Sequence, residues 1–218
     1  MNLAVIKIGG SLAANPDKLR ELCQKLGNLA KMYQLLIIPG GGEFADTVRA
    51  LDRRFELSAQ AAHKMAILGM DQYGLLLADL TPKSIAINNL EYIIGENESE
   101  KLPILLPANF MFTEDPLENS WDVTSDSIAF YVADKLQARK FVLVKTVDGI
   151  YDSDPQKNSK AKLKQKISAA RLSRMRKQSC VDKALPELLR QYKIDCYIVN
   201  GLYPERVVRF HITELGGR

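Results

Sequence analysis

Three short stretches of this chain set a charged side chain beside backbone that must bend sharply. The first is Val5-Ile6-Lys7-Ile8-Gly9-Gly10-Ser11, an apolar run broken by one lysine and closed by two glycines. The second is Leu35-Leu36-Ile37-Ile38-Pro39-Gly40-Gly41-Gly42, followed at once by a helical pattern from Glu43 to Arg53. The third is Phe141-Val142-Leu143-Val144-Lys145, which leads into Thr146-Val147-Asp148-Gly149-Ile150-Tyr151-Asp152-Ser153-Asp154-Pro155. A lysine at a strand end holds an anion as a point charge. Glycines after a strand bare the backbone amides and let a ligand approach them closely. Helix amino ends and amide nests then supply partial positive charge. The chemistry that needs such parts is the handling of phosphate. Taken singly, each stretch also suits an ordinary turn after a core strand; two glycine loops after buried strands within the first 45 residues are much less common.

A fourth stretch supplies carboxylates. Trp121-Asp122-Val123-Thr124-Ser125-Asp126-Ser127 precedes an apolar helical stripe of Ile128, Val132 and Leu136. Asp122 or Thr124 suits the helix cap, and Asp126 the first turn, where the helix dipole favours a carboxylate. The functional reading turns Asp126 toward the phosphate site, where it orders the lysines.

The elements that must position these residues alternate along the chain. Leu19, Leu22, Leu26 and Leu29 recur at helical spacing after an Asn15-Pro16-Asp17 start signal. Ser58 to Leu80 is a long helical pattern with Gly69 and Gly74 inside it, which calls for a close packing partner. It suits a core helix or a homodimer contact. Lys83 to Asn88 and Ile104 to Leu106 read as strands. Pro186 limits the helix after Cys180-Val181-Asp182-Lys183 to its first turns. Cys196 to Val199 is a late strand, and Glu205 to His211 a last short helix. Strand alternating with helix predicts a mainly parallel sheet covered on both faces, within one domain spanning residues 1–218.

Composition narrows the functional classes. An apolar share of 46% and a charged share of 26% are ordinary for a globular protein. No apolar run reaches membrane-span length, no secretory leader is expected, and a cytoplasmic setting fits the three scattered cysteines. No His/Cys ligand spacing appears, so no protein-bound metal is expected. The net charge is +4, yet Lys157 to Lys177 holds nine basic residues and no acidic one, leaving the remainder at −5. That run reads as a solvated face. It also suits attraction of a polyanionic nucleotide, whereas the lack of aromatics gives nucleic acid no stacking platform.

Neither a P-loop nor a Gly-x-Gly-x-x-Gly fingerprint is present, and no Gly-x-Ser-x-Gly elbow supports a hydrolase. In order, Lys7-Ile8-Gly9-Gly10-Ser11, Pro39-Gly40-Gly41-Gly42, Asp122-Val123-Thr124-Ser125-Asp126, Val147-Asp148-Gly149-Ile150-Tyr151-Asp152-Ser153-Asp154-Pro155 and Lys183 resemble the marks of the amino acid kinase family. The resemblance implies a three-layer αβα sandwich and phosphoryl transfer from ATP with Mg2+. The acceptor side would fall in about residues 1–120 and the nucleotide side in about 121–218. It assigns Lys7, Asp126 and Lys183 to catalysis, with Asp126 holding both lysines. Gly9, Gly10, Ser11, Lys145, Thr146, Asp148, Gly149, Tyr151, Asp152 and Asp154 would meet the nucleotide. Gly40, Gly41, Gly42, Asp46, Arg49, His63, Asp122 and Thr124 would meet the acceptor. The physics agrees, since phosphoryl transfer asks mainly for positioning and preorganised positive potential.

Isopentenyl phosphate kinases carry a histidine shortly after the glycine loop, where this chain has Asp46. An aspartate there repels a phosphate and pairs with an ammonium. Length, the Trp121 to Asp126 run and the His63-Lys64-Met65-Ala66-Ile67 helix most resemble the branch that holds the aminomethylfuran-methyl phosphate kinases of methanofuran synthesis. That resemblance implies a small acceptor bearing an amine and a phosphate, and a diphosphate product. Asp46 or Asp122 would then take the ammonium, and Arg49 or His63 the acceptor phosphate. The alternatives are an amino-acid carboxylate kinase and a non-catalytic nucleotide-binding or storage protein. The family resemblance also implies a homo-oligomer, at least a dimer through the Ser58 to Leu80 helix.

Overall fold

The computed structural model describes residues 3–94, 101–153, 157–175, 180–192 and 194–215. Strand β1 (Leu3–Ile8) passes through a 3-10 turn (Gly10–Ala14) to α1 (Pro16–Leu29), then β2 (Gln34–Pro39), α2 (Gly42–Phe55) and α3 (Ala59–Leu80). There follow β3 (Ser84–Ile87), α4 (Glu91–Ile94), β4 (Leu102–Leu105), α5 (Ala108–Glu114), α6 (Ser125–Lys135) and β5 (Lys140–Lys145). The chain closes with α7 (Ala169–Leu172), α8 (Leu185–Gln191), β6 (Cys196–Asn200) and α9 (Pro204–Leu215).

The six strands form one sheet in the order β3-β4-β2-β1-β5-β6, and every pairing is parallel. Parallel strands are covered on both faces, which explains why β1 and β5 read as near-continuous apolar runs. Alternation along β1 sends Leu3, Val5 and Lys7 to one face and Ala4, Ile6 and Ile8 to the other. The first face packs on Ile128, Ala129 and Val132 of α6 and on Leu185 of α8. The second packs on Leu19, Leu22 and Leu26 of α1 and on Val207 of α9. The expected αβα sandwich is therefore present. Lys7 belongs to the α6 face, so a polar group at the start of α6 falls within its reach.

The long helix is interrupted by glycine for a packing reason. A Cβ on Gly69 would lie 3.1 Å from Cβ of Phe44, and one on Gly74 would lie 2.7 Å from Cδ2 of Leu106. Ser58 caps this helix, its Oγ accepting from the amide of Ala61. The outer face of α3 leaves Leu68, Leu75 and Leu76 exposed. No helix among the described residues is long and apolar enough to cross a membrane.

Two terminal signals work differently from the sequence expectation. Asn15 stands at the N-cap of α1 without a side-chain bond, and Pro16 opens the helix. Thr124 is the N-cap residue of α6, but its hydroxyl donates elsewhere. The cap comes from Asp182, 55 residues after Ser127, whose Oδ2 accepts from the amides of Thr124 and Ser127 at 2.9 Å each.

Candidate phosphoryl-transfer site

Order in the sheet reverses around β1, with β2 to one side and β5 to the other. Ligands of open parallel sheets bind outside the carboxyl ends of such strands. Three chain ends meet there. The amide of Gly9 donates to the carbonyl of Val144 at 2.8 Å, and that of Gly40 to the carbonyl of Ile8 at 2.8 Å. The two glycine turns touch backbone to backbone. A Cβ on Gly10 would sit 2.0 Å from the nitrogen of Gly42, and Gly42 itself has φ +54°. A side chain at Gly10 would push the two turns apart, and one at Gly42 would be strained by the positive φ.

Lys7 is buried at the rim of this crevice, with 4% exposure, and Asp126 at the start of α6 with 2%. The Lys7 ammonium meets Oδ1 of Asp126 at 2.8 Å, as a charge contact rather than an aligned hydrogen bond. Lys145, the last residue of β5, donates to Oδ2 of the same carboxylate at 2.5 Å. One carboxylate therefore stands between two ammonium groups. Burial pushes the Lys7 ammonium below its ordinary range, Asp126 pulls it back up, and Lys145 adds to the lowering. Burial alone would raise Asp126, but the two lysines outweigh it and hold the carboxyl at about 2. The arrangement brings two lysine side chains to the two oxygens of one buried carboxylate.

The sequence expectation has Asp126 hold Lys7 and Lys183, whereas here the carboxylate meets Lys7 and Lys145. Lys183 is exposed and pairs with Asp122 at 2.5 Å, away from Asp126. Strand order gives the reason: β5 lies next to β1, so its terminal Lys145 reaches the carboxylate that caps the Lys7 face. Asp122 is likewise engaged with Lys183 and does not line the cavity described below.

Asp182, which the sequence reading passed over, locks this centre together. Its Oδ1 accepts from the Ser127 hydroxyl at 2.6 Å and from the amide of Leu185 at 2.9 Å, so one carboxylate caps both α6 and α8. Its own amide donates to Oδ2 of Asp126 at 3.3 Å. Burial, then the Asp126 charge, raise the Asp182 carboxyl above its usual range. The only sequence signal was an aspartate three residues before a helix, which normally marks a local cap.

The loop after β5 is tied down by side chains that the sequence assigned to nucleotide binding. Asp148 accepts from Asn200 at 3.0 Å and from Arg206 at 2.7 Å, fixing the loop to the ends of β6 and α9. Tyr151 bridges Leu163 in antiparallel fashion, and the amide of Asp152 donates to the carbonyl of Lys162. Lys162, Leu163 and Lys164 of the basic segment therefore run back along this loop, with Lys164 3.7 Å from Asp152. Gly149 takes φ +146° at the turn. Asp154 lies outside the described residues.

A cavity of about 760 Å³ opens beside the centre, with Lys145, Gly10, Ser11, Gly41 and Gly42 at its wall. Ala62, Ala66, Ile67, Met70, Val123 and Ile128 give it apolar sides. Asp46, Arg49, His63 and Thr124 line it. Asp46 is held by Arg49 at 2.8 Å, and the Arg49 guanidinium lies 4.7 Å over the Trp121 ring. Trp121 Nε1 donates to Asp52 at 2.7 Å. Asp52 and Ser120 are cavity residues that the pattern alone did not single out, and Trp121, quoted only as part of a motif, also lines the cavity.

Residues 2–200 match the sequence pattern of the amino acid kinase family. The chain belongs to the amino acid kinase family. It is 38% identical over 206 residues to the [5-(aminomethyl)furan-3-yl]methyl phosphate kinase of Methanocaldococcus jannaschii, covering 94% of this chain and 90% of that one. The uridylate kinase of Archaeoglobus fulgidus is 23% identical over 214 residues, covering 94% and 93%. The crystal structure of Archaeoglobus fulgidus uridylate kinase superposes with a TM-score of 0.75 at 19% identity, over 98% of this chain and 97% of that one. An isopentenyl phosphate kinase substrate complex gives 0.65 at 18%, covering 97% of each. This amino acid kinase is thus a phosphotransferase.

Proposed function

We propose that this kinase transfers the γ-phosphoryl group of magnesium ATP to the phosphate of an aminomethylfuran-methyl monophosphate, giving a diphosphate. The cavity supports this reading: Lys145 and the glycine turns line it together with apolar walls and a group of polar side chains. A small flat ring between a phosphate and an amine suits those three zones. The relative from Methanocaldococcus jannaschii, whose name specifies such an acceptor, agrees with it.

In this reading the acceptor phosphate lies at the Gly40 to Gly42 turn, where the amino end of α2 favours an anion. The nucleotide phosphates lie along Gly9, Gly10 and Ser11, and the loop from Thr146 to Asp152 borders the rest of the nucleotide. Lys7 and Lys145 neutralise charge that spreads over the transferring oxygens, with Asp126 keeping both ammonium groups in register. Among the described residues no group of three His, Cys, Asp or Glu side chains is placed to hold a metal ion. In this reading magnesium enters as part of the nucleotide, bound to its phosphates.

Incubation with magnesium ATP and a panel of acceptors tests this. The expected result is a phosphoanhydride product from the aminomethylfuran phosphate, stable to hydroxylamine, at kcat/KM at least ~100-fold above that for UMP or isopentenyl phosphate. A product trapped by hydroxylamine as a hydroxamate would instead mark a carboxylate kinase. A preference for UMP would replace the furan acceptor by a nucleotide.

A further inference from the structure

The cavity ends, far from the glycine turns, in polar atoms that nothing in the protein satisfies. Helices α2 and α3 form an antiparallel hairpin joined by residues 56–58. Gly69 packs on Phe44 and Ala45, which fixes their register. Asp52 on α2 and His63 on α3 therefore lie level with each other. Both stand roughly 10 Å beyond the Ala45–Gly69 contact, from the helical rise per residue. Ser120 and Trp121 close this end from the segment that precedes α6.

His63 is 94% buried, given its 6% exposure, and its Nε2 has no partner. The Oγ of Ser120 is also buried and unpartnered. Leaving such atoms unpaired costs on the order of 1–3 kcal/mol each, so their place on a ligand cavity has a purpose. Burial lowers the His63 pKa below its ordinary value, opposed by the Asp115 charge and by a hydrogen bond to the Ser120 main chain. Nε2 is the buried ring nitrogen without a partner, and a ring that is neutral with its proton on Nδ1 leaves it bare. The neutral ring then offers a lone pair at Nε2.

Charge points the same way. Of the cavity carboxylates at this end, Asp46 is neutralised by Arg49, whereas Asp52 is held by the neutral indole N–H of Trp121. A region with an acceptor nitrogen, a hydroxyl and a net negative charge selects a cationic donor. We propose that His63 Nε2, Ser120 Oγ and the Asp52 carboxylate form a seat for a primary ammonium on the acceptor, and that this seat sets acceptor choice. It replaces the assignment of the ammonium to Asp46 or Asp122 and of His63 to the acceptor phosphate. The proposal rests on the acceptor reading above for the phosphate at the opposite end.

Equilibrium binding without ATP tests the seat apart from the reaction. The ligands are [5-(aminomethyl)furan-3-yl]methyl phosphate and its hydroxymethyl counterpart, which differ only at the seat. The unmodified chain is expected to bind the amine at least ~10-fold more tightly. Ser120→Ala and His63→Leu should each weaken the amine alone and bring that ratio below ~3, with the hydroxymethyl ligand unchanged. Equal binding of both ligands by the unmodified chain, binding of neither, or parallel loss of both in Ser120→Ala would overturn the seat. Tight amine binding without phosphoryl transfer would leave the seat standing and sink the proposed reaction. Equal turnover and equal binding of both ligands would do the reverse.

Discussion

Lys7→Met is expected to lower kcat by about 10³-fold, or ~4 kcal/mol of transition-state stabilisation, while the protein melts no earlier than the unmodified chain. The two halves of this expectation have one cause. Lys7 is buried on a strand whose other residues are all apolar, and burial disfavours its charge. Its ammonium therefore costs the fold something, offset by the contact with Asp126. Methionine fills the same space without that cost, and Asp126 keeps Lys145 as its partner. What disappears is the charge facing the transferring group. Steady-state rates and thermal unfolding on the same preparation check both halves. A large fall in melting temperature would mean that the lysine is there for the fold.

Asp126→Asn is expected to do the opposite to stability and nearly as much to activity. It leaves two lysine side chains close together in a buried place without the carboxylate that both contact, a loss of ~3 kcal/mol or more. The pH dependence has a definite sign. Lys7 must carry its proton to act, and its folded pKa lies below 10.5, so activity falls on the alkaline side earlier than for an ordinary lysine. Asp126 is a raising influence on Lys7, so its removal shifts that alkaline limb to lower pH. The Asp126 carboxyl is itself depressed, from 3.8 to about 2. Its contribution to stability is complete above 3.8 and is lost as pH falls toward 2, amounting to about 2 kcal/mol. In the asparagine variant that stretch of acid dependence should vanish. pH profiles of kcat and of unfolding free energy would show both shifts, and an unmoved alkaline limb would contradict the coupling.

The sheet and the glycine turns were legible because they are local. Continuous apolar runs predict buried parallel strands, and glycines just after them have no other use at positions such as Gly10 and Gly42, where two backbones meet. The apolar stripe of α6 likewise predicts the helix, and Asp126 in its first turn lies where expected. The partner of Asp126 was not legible. Lys145 and Lys183 both stand near helix or strand ends, and only the order of strands in the sheet shows which one adjoins Lys7. Asp182 reads as the cap of its own short helix, and its bonds to Thr124 and Ser127 link segments more than 50 residues apart. The hydrogen bonds of Asp148 to Asn200 and Arg206 were not legible either, since they join segments more than 50 residues apart. His63 was visible as a rare residue, but the need of its Nε2 for a partner emerges only from packing.

The claim that the rest depends on is that Asp126 gathers Lys7 and Lys145 at the carboxyl ends of β1 and β5. Single-turnover transfer from labelled ATP, measured for Lys145→Met beside Lys183→Met, tests it most directly. The account expects Lys145→Met to lose at least ~100-fold in rate and Lys183→Met to stay within ~10-fold of the unmodified enzyme. A near-normal Lys145→Met beside an inactive Lys183→Met would contradict it, and would move the second charge of the centre to α8.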